Sequence, residues 1–192
     1  FILPRDFLER TVSVIQIDPK IGFVQARWGH INREYNRYTE AFAIAIDGYH
    51  IIEQTARSSG LYAIFTGSAG LLRTQAIKEA GGWSWDTLSE DMDLSYRIQL
   101  CGWSSLYIRD LPVSGELPPT LNAFRTQQGR WARGNIQCAK KLLIPVWRSN
   151  KSLTQKIEGT LYLTYYTVSI WMWLSLLVTV PLLALNKFPY IN

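Results

Sequence analysis

An uncharged run near the end of the chain limits most strongly what this sequence can fold into. Residues 159–185 contain no charged residue and no Asn, Gln or His. As a single helix this run would reach about 40 Å, against about 30 Å for the hydrocarbon core of a bilayer. We therefore predict a transmembrane helix at 159–185, with residues 186–192 as the start of a loop.

A basic segment precedes the uncharged run. Residues 117–157 carry no acidic side chain, whereas acidic residues exceed basic ones over residues 1–124, so the net charge of +5 is unevenly distributed. Such a segment can bind nucleic acid, but its place beside the apolar run favours the cytoplasmic flank of a membrane span. We expect a lipid bilayer as a partner and no nucleic acid. The basic residues are Arg125, Arg130, Arg133, Lys140, Lys141, Arg148, Lys151 and Lys156.

Cysteine and histidine are too few for a zinc or disulfide scaffold. The chain has two cysteines, Cys101 and Cys138, and two histidines, His30 and His50, with no CxxC pair. The usual spacing of zinc ligands is therefore absent, and a chain of 192 residues can build a hydrophobic core without such supports. We expect free, buried thiols in a reducing compartment, and histidines that pack or bond locally.

The first two thirds of the chain alternate short apolar runs with helical periodicity, which is typical of an α/β layer. The chain begins at Phe1 directly in an apolar, strand-like sequence, and we expect it to be a piece cut from a longer protein at both ends. Ser89 stands where the N-cap of a helix would be. We predict strands at Val12–Ile17, Ile21–Ala26, Leu61–Phe65 and Leu106–Ile108, and helices at 33–57, Thr74–Ala80 and Met92–Leu100.

A longer helix follows an extended connector marked by Pro112, Pro118 and Pro119. Its apolar and aromatic residues recur at helical spacing, with Arg and Lys around them. This pattern suits a helix that lies along a membrane surface. The predicted face contains Leu121, Phe124, Gln128, Trp131, Ala132, Ile136, Ala139 and Leu143.

Three carboxylates, Glu90, Asp91 and Asp93, fall in the first turn of the helix after Ser89. Acidic residues complement the dipole at a helix N-terminus, and this explains them without any catalysis. Alternatively, one of them is a general base that removes a proton from an attacking hydroxyl. Crowding and partial burial would raise its proton affinity, which suits that task.

Two further segments contain residue types that bind ligands. Gln127, Arg130 and Trp131 lie within about one helical turn, and Arg can grip a diphosphate while Trp offers a flat face to a sugar. The same residues also suit an interfacial helix with a Trp anchor and a snorkelling Arg. The small-residue loop around Gly67 and Ser68 follows an apolar run. Because its side chains are small, it allows either the close approach of a ligand or simply tight packing.

In this order, ahead of an apolar span, these segments resemble the FxGSxG, (T/S)ED and QxxRW motifs of membrane-embedded, processive family-2 glycosyltransferases. Cellulose, hyaluronan and mannan synthases are members of that family. The sequence at residues 24–33 and 47–50 resembles that of the branch formed by plant cellulose-synthase-like A and C proteins and their bacterial relatives. That branch makes β-1,4-linked mannan, glucomannan or glucan.

The resemblance implies a fold as well as an activity. It implies the C-terminal part of a GT-A domain, a Rossmann-like α/β fold, followed by an amphipathic interface helix and a transmembrane helix. We expect residues 1–118 to be the partial GT-A domain and 119–157 the interface helix with a basic linker. The enzyme would be an integral membrane protein of a bacterial inner membrane or the Golgi, with its catalytic domain in the cytosol.

The resemblance also implies a role for each motif residue. Asp91 would be the catalytic base, supported by Glu90, which touches the acceptor region. Gln127 and Arg130 would contact the nucleotide diphosphate of the donor, GDP-mannose or UDP-glucose, and Trp131 the terminal sugar of the polysaccharide acceptor. Gly67 and Ser68 would lie beside the acceptor.

The sequence departs from the family pattern in two ways. Ser89 stands where Thr is usual, and the Asp-x-Asp motif that binds Mg²⁺ or Mn²⁺ is expected just upstream of Phe1. Asp6 and Asp18 are poor substitutes, so we expect this chain alone to hold no metal and to be inactive. Two alternatives stay open: a non-processive family-2 transferase with a lipid-linked acceptor, and a non-catalytic module that assembles with intact synthases.

Overall fold

The computed structural model describes residues 1–185, so the loop predicted at 186–192 lies outside the described residues. Single turns of 3-10 helix occur at Arg33–Tyr35 and Tyr165–Thr167, and a π-helical segment at Gly48–Glu53. The principal elements are α1 (Phe7–Ile17), β1 (Ile21–His30), α2 (Arg37–Asp47), α3 (Gln54–Ser58), β2 (Gly70–Leu72), α4 (Thr74–Glu79), α5 (Glu90–Leu100), β3 (Ser104–Gly115), α6 (Leu121–Arg148), α7 (Leu153–Leu163) and α8 (Val168–Ala184).

The sheet confirms an α/β core and positions one edge of the site. Strand β1 lies between β2, which is antiparallel to it, and β3, which is parallel. The carboxyl ends of the two parallel strands meet where His30 pairs with Gly115. β3 is longer than predicted and includes Pro112, expected in the connector; Pro is tolerated because β3 is an edge strand of the described sheet.

The strand predicted at Val12–Ile17 is wrong, because these residues belong to helix α1. Phe7, Thr11 and Ile15 recur every four residues and are the buried residues of that helix. The Thr11 hydroxyl donates to the carbonyl of Phe7 at 2.7 Å. Burial of one helical face therefore outweighs the preference of the β-branched residues for strands.

The strand predicted at Leu61–Phe65 is buried as expected but joins no sheet within residues 1–185. Side chains satisfy its backbone instead. Gln54 accepts from the Ile64 nitrogen at 3.2 Å and donates to its carbonyl at 2.6 Å, and Gln99 bonds Ala63 in the same two ways. Buried backbone groups need partners, and these two glutamines supply them where no neighbouring strand does.

The other predicted helices are confirmed with small changes at their ends. The 33–57 region is helical apart from an extended residue at Asn36, which caps α2 through a capping box with Thr39. Gly60 ends this region with a φ of +130°. Helix α5 begins directly after Ser89, as predicted, although the Ser89 side chain makes no cap hydrogen bond.

Helix α6 buries one side against protein, and Ala139 is the one residue of the face predicted to lie along a membrane that is buried there. The placement of that face along a membrane surface stays a prediction. Four buried residues of α6, Cys138 among them, pack with residues of α5, α7 and the 61–65 segment in one cluster. Cys101, predicted to be buried, is exposed, and both thiols are free. The cluster comprises Tyr62, Ile64, Tyr96, Cys138, Ala139, Leu142, Val146 and Leu163.

The uncharged run is divided between two helices rather than forming the single helix predicted at 159–185. Gly159 and Leu163 are buried in α7, and a Cβ on Gly159 would stand 3.0 Å from the Tyr62 ring. After a break at Thr164, no residue of α8 is buried. Within residues 1–185, Tyr165–Ala184 is the one segment long and apolar enough to cross a membrane.

Candidate active site

A cavity of about 420 Å³ opens at the carboxyl ends of β1 and β3. The first turn of α5, the loop after residue 65 and the beginning of α6 form its other walls. All seven residues singled out from the sequence line it, although they come from three segments far apart in the chain. They are Gly67, Ser68, Glu90, Asp91, Gln127, Arg130 and Trp131.

Asp91 is a carboxylate of the cavity wall with a raised pKa. Its Oδ1 accepts from the backbone nitrogen of Met92 at 2.8 Å. Burial raises the pKa of Asp91 and the charge of Glu90 raises it further, while the Met92 hydrogen bond and Arg130 oppose this shift. A carboxylate with a raised proton affinity is a stronger base than an exposed aspartate.

Gly67 has no room for a side chain because the Asp91 carboxylate lies against it. A Cβ at this position would stand 2.8 Å from Asp91 Oδ2. The backbone also has a φ of +76° there, in the left-handed region that favours glycine. The small-residue loop therefore brings its backbone up to the carboxylate.

Gln25 holds this loop, and the sequence analysis did not select it. It is buried at the centre of β1, where its Oε1 accepts from the Thr66 nitrogen at 3.0 Å. Its Nε2 donates to the Ser68 carbonyl at 3.0 Å. A polar residue inside an otherwise apolar strand was the signal that could have identified it.

Asp93 differs from its two acidic neighbours because it is fully buried and paired. Arg97 Nε lies 2.8 Å from Asp93 Oδ2, and Lys141 Nζ lies 3.0 Å from Oδ1. The ion pairs neutralise this carboxylate and attach α5 to α6. Only two of the three acidic residues, Glu90 and Asp91, line the cavity.

Several polar atoms at the cavity are buried without a hydrogen-bond partner among residues 1–185. They are Thr66 Oγ1, Ser68 Oγ, Gln127 Oε1 and the indole Nε1 of Trp28. Buried polar groups are normally satisfied, so unpaired atoms around a cavity are available to the hydroxyl groups of a ligand. Trp28 was not predicted from the sequence as a site residue.

The two histidines bond or pack locally, as predicted. His30 lines the cavity and its Nε2 lies 2.9 Å from Asp47 Oδ1. His50 is buried beside the Trp28 ring, 5.0 Å between centroids. Burial lowers the pKa of His50 to about 3, and the neighbouring His30 contributes, so His50 is neutral near pH 7.

A second cavity of about 390 Å³ adjoins the first, and its walls are rich in aromatic rings. Trp28, Thr66, Asp91 and Trp131 line both. Aromatic faces suit the rings of a sugar chain, and the carboxylates of Glu53 and Asp91 in the same wall would repel a diphosphate. The aromatic residues of this second cavity are Trp28, Tyr49, His50, Phe124, Trp131, Tyr162, Tyr165 and Tyr166.

The described residues do not fit a divalent metal ion by themselves. Hard cations such as Mg²⁺ take several oxygen ligands, and residues 1–185 contain no group of three or more His, Cys, Asp or Glu that could hold one. Asp93 is already paired with Arg97 and Lys141.

The chain is a member of a glycosyltransferase family: residues 2–191 match the family described as glycosyl transferase family group 2. It is 38% identical over 166 residues to glucomannan 4-beta-mannosyltransferase 2 of Arabidopsis thaliana, covering 86% of this chain and 31% of the relative.

Two other plant proteins are similar. Glucomannan 4-beta-mannosyltransferase 1 of Cyamopsis tetragonoloba is 42% identical over 139 residues, which is 71% of this chain and 26% of that protein. Glucomannan 4-beta-mannosyltransferase 1 of Oryza sativa subsp. japonica is 40% identical over 158 residues, which is 82% of this chain and 30% of that protein. The chain thus spans between 26% and 31% of the length of these relatives.

Proposed function

We propose that this chain is the base-bearing part of a longer, membrane-embedded, inverting glycosyltransferase that extends a β-1,4-linked polysaccharide. The observation that carries the proposal is the meeting of Gly67, Asp91, Arg130 and Trp131 at one cavity. The relatives are named as glucomannan mannosyltransferases. Their names favour mannose from GDP-mannose as the transferred sugar, and glucose from UDP-glucose is the alternative.

The proposed reaction is a single displacement at the anomeric carbon of the donor. Asp91 takes the proton of an acceptor hydroxyl, whose oxygen forms a bond to that carbon. The bond between the carbon and the diphosphate oxygen breaks at the same time, and its electron pair leaves with the diphosphate. Gln127 hydrogen-bonds the leaving diphosphate, and Arg130 binds it through charge-assisted bonds.

The two cavities support separate places for donor and acceptor. Arg130 lines only the first cavity, which therefore suits the charged donor, and the aromatic second cavity suits the growing chain. Trp131 lines both and would stack on the terminal sugar of the acceptor. Asp91 also lines both, as a base between attacking hydroxyl and donor must. Glu90, Gly67 and Ser68 complete the wall around it.

We further propose that Tyr165–Ala184 crosses a bilayer with the catalytic domain in the cytosol. This segment is about 30 Å long as a helix, close to the hydrocarbon thickness. Its apolar side chains are exposed to the surroundings, and the basic segment precedes it on the side expected to be cytosolic. The host membrane would be a bacterial inner membrane or the Golgi. Mg²⁺ or Mn²⁺ would bind through residues outside this chain.

The test is sugar incorporation in membrane vesicles that contain the full-length protein. We expect labelled polymer from GDP-mannose with the wild type, a loss of about 10²–10⁴-fold with Asp91→Asn because the base is gone, and sensitivity of the product to β-1,4-mannanase. Asp110→Asn, at an exposed carboxylate on β3, is the matched control and should leave the rate unchanged.

Three outcomes would change the proposal. If polymer forms from UDP-glucose and not from GDP-mannose, the proposed donor is wrong and the proposed reaction stands. A labelled lipid-linked product without polymer would favour the non-processive transferase. No transfer from either donor by the wild type would favour the non-catalytic module that assembles with intact synthases.

A further inference from the structure

One side of helix α6 contacts the segment that carries the proposed base. The contacting residues, Gly134, Gln137, Cys138 and Lys141, recur at steps of three and four and therefore lie on one face. Their partners lie within residues 86–93, which include the first turn of α5, apart from Ser84, whose hydroxyl accepts from Lys141 at 3.4 Å. The same helix carries Arg130 and Trp131, about one turn before Gly134 and about three turns before Lys141.

The closest approach is at Gly134. A Cβ there would overlap the Ser89 hydroxyl oxygen and would stand 2.8 Å from the Ser89 backbone nitrogen. Only a glycine lets the helix backbone come this near to the start of α5. Gly129, on the same helix, has nothing within 4 Å of a Cβ, so this requirement is local to one turn.

Two polar contacts hold the backbone on either side of that approach. Gln137 Oε1 accepts from the Leu88 nitrogen at 2.8 Å, and the Cys138 thiol donates to the Ser89 carbonyl at 3.4 Å. Leu88 and Ser89 also line the first cavity. The chain just before Asp91 is therefore held by α6 rather than by its own helix cap, since the Ser89 side chain makes no cap bond.

Lys141 makes the third contact, one turn further along. Its ammonium group lies 3.0 Å from the buried Asp93 Oδ1 and 2.8 Å from Asp86 Oδ1. Asp93 is fully buried, so losing one of its cationic partners leaves a poorly compensated charge. The pair therefore ties the first turn of α5 to α6.

Asp91 has no comparable support of its own. Among residues 1–185, its carboxylate accepts one hydrogen bond, from the backbone nitrogen of its neighbour Met92. Its position relative to Arg130 and Trp131 consequently depends on how the 86–93 segment sits on α6.

We propose that Gly134, Gln137 and Lys141 are positioning residues, which set the proposed base Asp91 at its working distance from the donor-binding Arg130. This inference rests on the proposed glycosyl transfer. Because Gln127, Arg130 and Trp131 lie on α6 itself, disturbing the contact displaces the base while leaving donor binding in place. The expected signature is a fall in kcat with little change in the KM for the donor.

The experiment compares matched substitutions in the full-length protein in vesicles. Lys141→Met should lower kcat by about 100-fold, the effect of a displacement of about 1 Å, and Lys141→Arg should recover most of it by restoring the cation. Lys140→Met is the control, because Lys140 is the exposed neighbour and makes no ion pair within residues 1–185.

Gly134→Ala should also lower kcat by about 100-fold. Adding Ser89→Gly to Gly134→Ala removes Oγ and Cβ, two of the three Ser89 atoms that the new Cβ would overlap. The double variant should recover part of the lost kcat, and Ser89→Gly alone is its reference. Gly129→Ala controls for helix propensity and should leave kcat unchanged.

The inference is overturned if Lys141→Met and Gly134→Ala keep the wild-type kcat, or if their loss appears in the donor KM. It is also overturned if neither Lys141→Arg nor Ser89→Gly recovers activity, since a general loss of folding would not respond to local compensation. Wild type and Asp91→Asn are assayed in the same vesicles. An inactive wild type, or an active Asp91→Asn, refutes the proposed function instead.

Discussion

Gly67→Ala tests the contact between the small-residue loop and the proposed base. Two effects follow from the structure. The first is backbone strain: an alanine at a φ of +76° costs about 1–2 kcal/mol. The second is displacement, because the new Cβ would stand 2.8 Å from Asp91 Oδ2, where ordinary contacts begin at 3.4 Å.

The two distances give the size of the displacement. The Asp91 carboxylate must move by about 0.6 Å, the difference between 3.4 Å and 2.8 Å. Since a misplacement of about 1 Å costs about 100-fold in rate, we expect kcat to fall between about tenfold and 100-fold. The strain should lower the melting temperature by roughly 2–8 °C, at about 2–4 °C per kcal/mol for a chain of this size.

Gly81→Ala separates these effects. Gly81 has a φ of +85° and nothing within 4 Å of a Cβ, so this variant carries the strain without the displacement. The assay is initial-rate sugar transfer in vesicles, alongside thermal unfolding of both variants. Equal losses of activity in Gly67→Ala and Gly81→Ala would attribute the effect to strain alone, and an unaffected Gly67→Ala would refute the reasoning.

Three further outcomes are expected. Burial raises the pKa of Asp91, and the base works only when it is unprotonated. The loss of kcat towards acidic pH should therefore begin at a higher pH than it would for an exposed aspartate of pKa about 3.9. Glu90→Gln removes a like charge and should move that limb of the kcat profile to lower pH; an unmoved limb would argue against Asp91 as its origin. Gln25→Leu leaves the Thr66 nitrogen and the Ser68 carbonyl unpaired and should destabilise the protein by about 1–3 kcal/mol, seen as a lower denaturation midpoint, with unchanged stability counting against the loop's dependence on it. His50 has its pKa lowered to about 3 by burial, so the stability it contributes is present above its unfolded pKa of about 6.5 and is lost as pH falls from there towards 3. Unfolding measured at several pH values should therefore show a weaker acid dependence in His50→Phe, and an identical dependence would contradict this.

Local sequence rules predicted most of the helices, and their failures have physical causes. Val12–Ile17 is β-branched and was predicted as a strand, but the burial of Phe7, Thr11 and Ile15 makes the region helical. Leu61–Phe65 has the apolar character of a buried strand, yet its backbone bonds the side chains of Gln54 and Gln99. Propensity describes a residue by itself, whereas these outcomes depend on partners distant in the chain.

The candidate site was predictable residue by residue but not as a geometry. The sequence identified Gly67, Asp91 and Trp131 through motifs and resemblance, and the structure brings them to one cavity. It did not identify Gln25 or Gly134. A glutamine in a strand and a glycine in a helix carry no recognisable motif, because their function is a contact with another segment.

Order and composition along the chain were enough to locate the apolar run, the basic segment before it and the spacing of the motifs. Which carboxylate faces the cavity depends instead on how the helices pack. Asp91 and Asp93 are two residues apart, so they point to nearly opposite sides of α5, and periodicity treats them alike. Packing against α6 pairs Asp93 with Lys141 and leaves Asp91 in the cavity. That choice depends on where a second helix lies, which the local pattern of α5 does not contain.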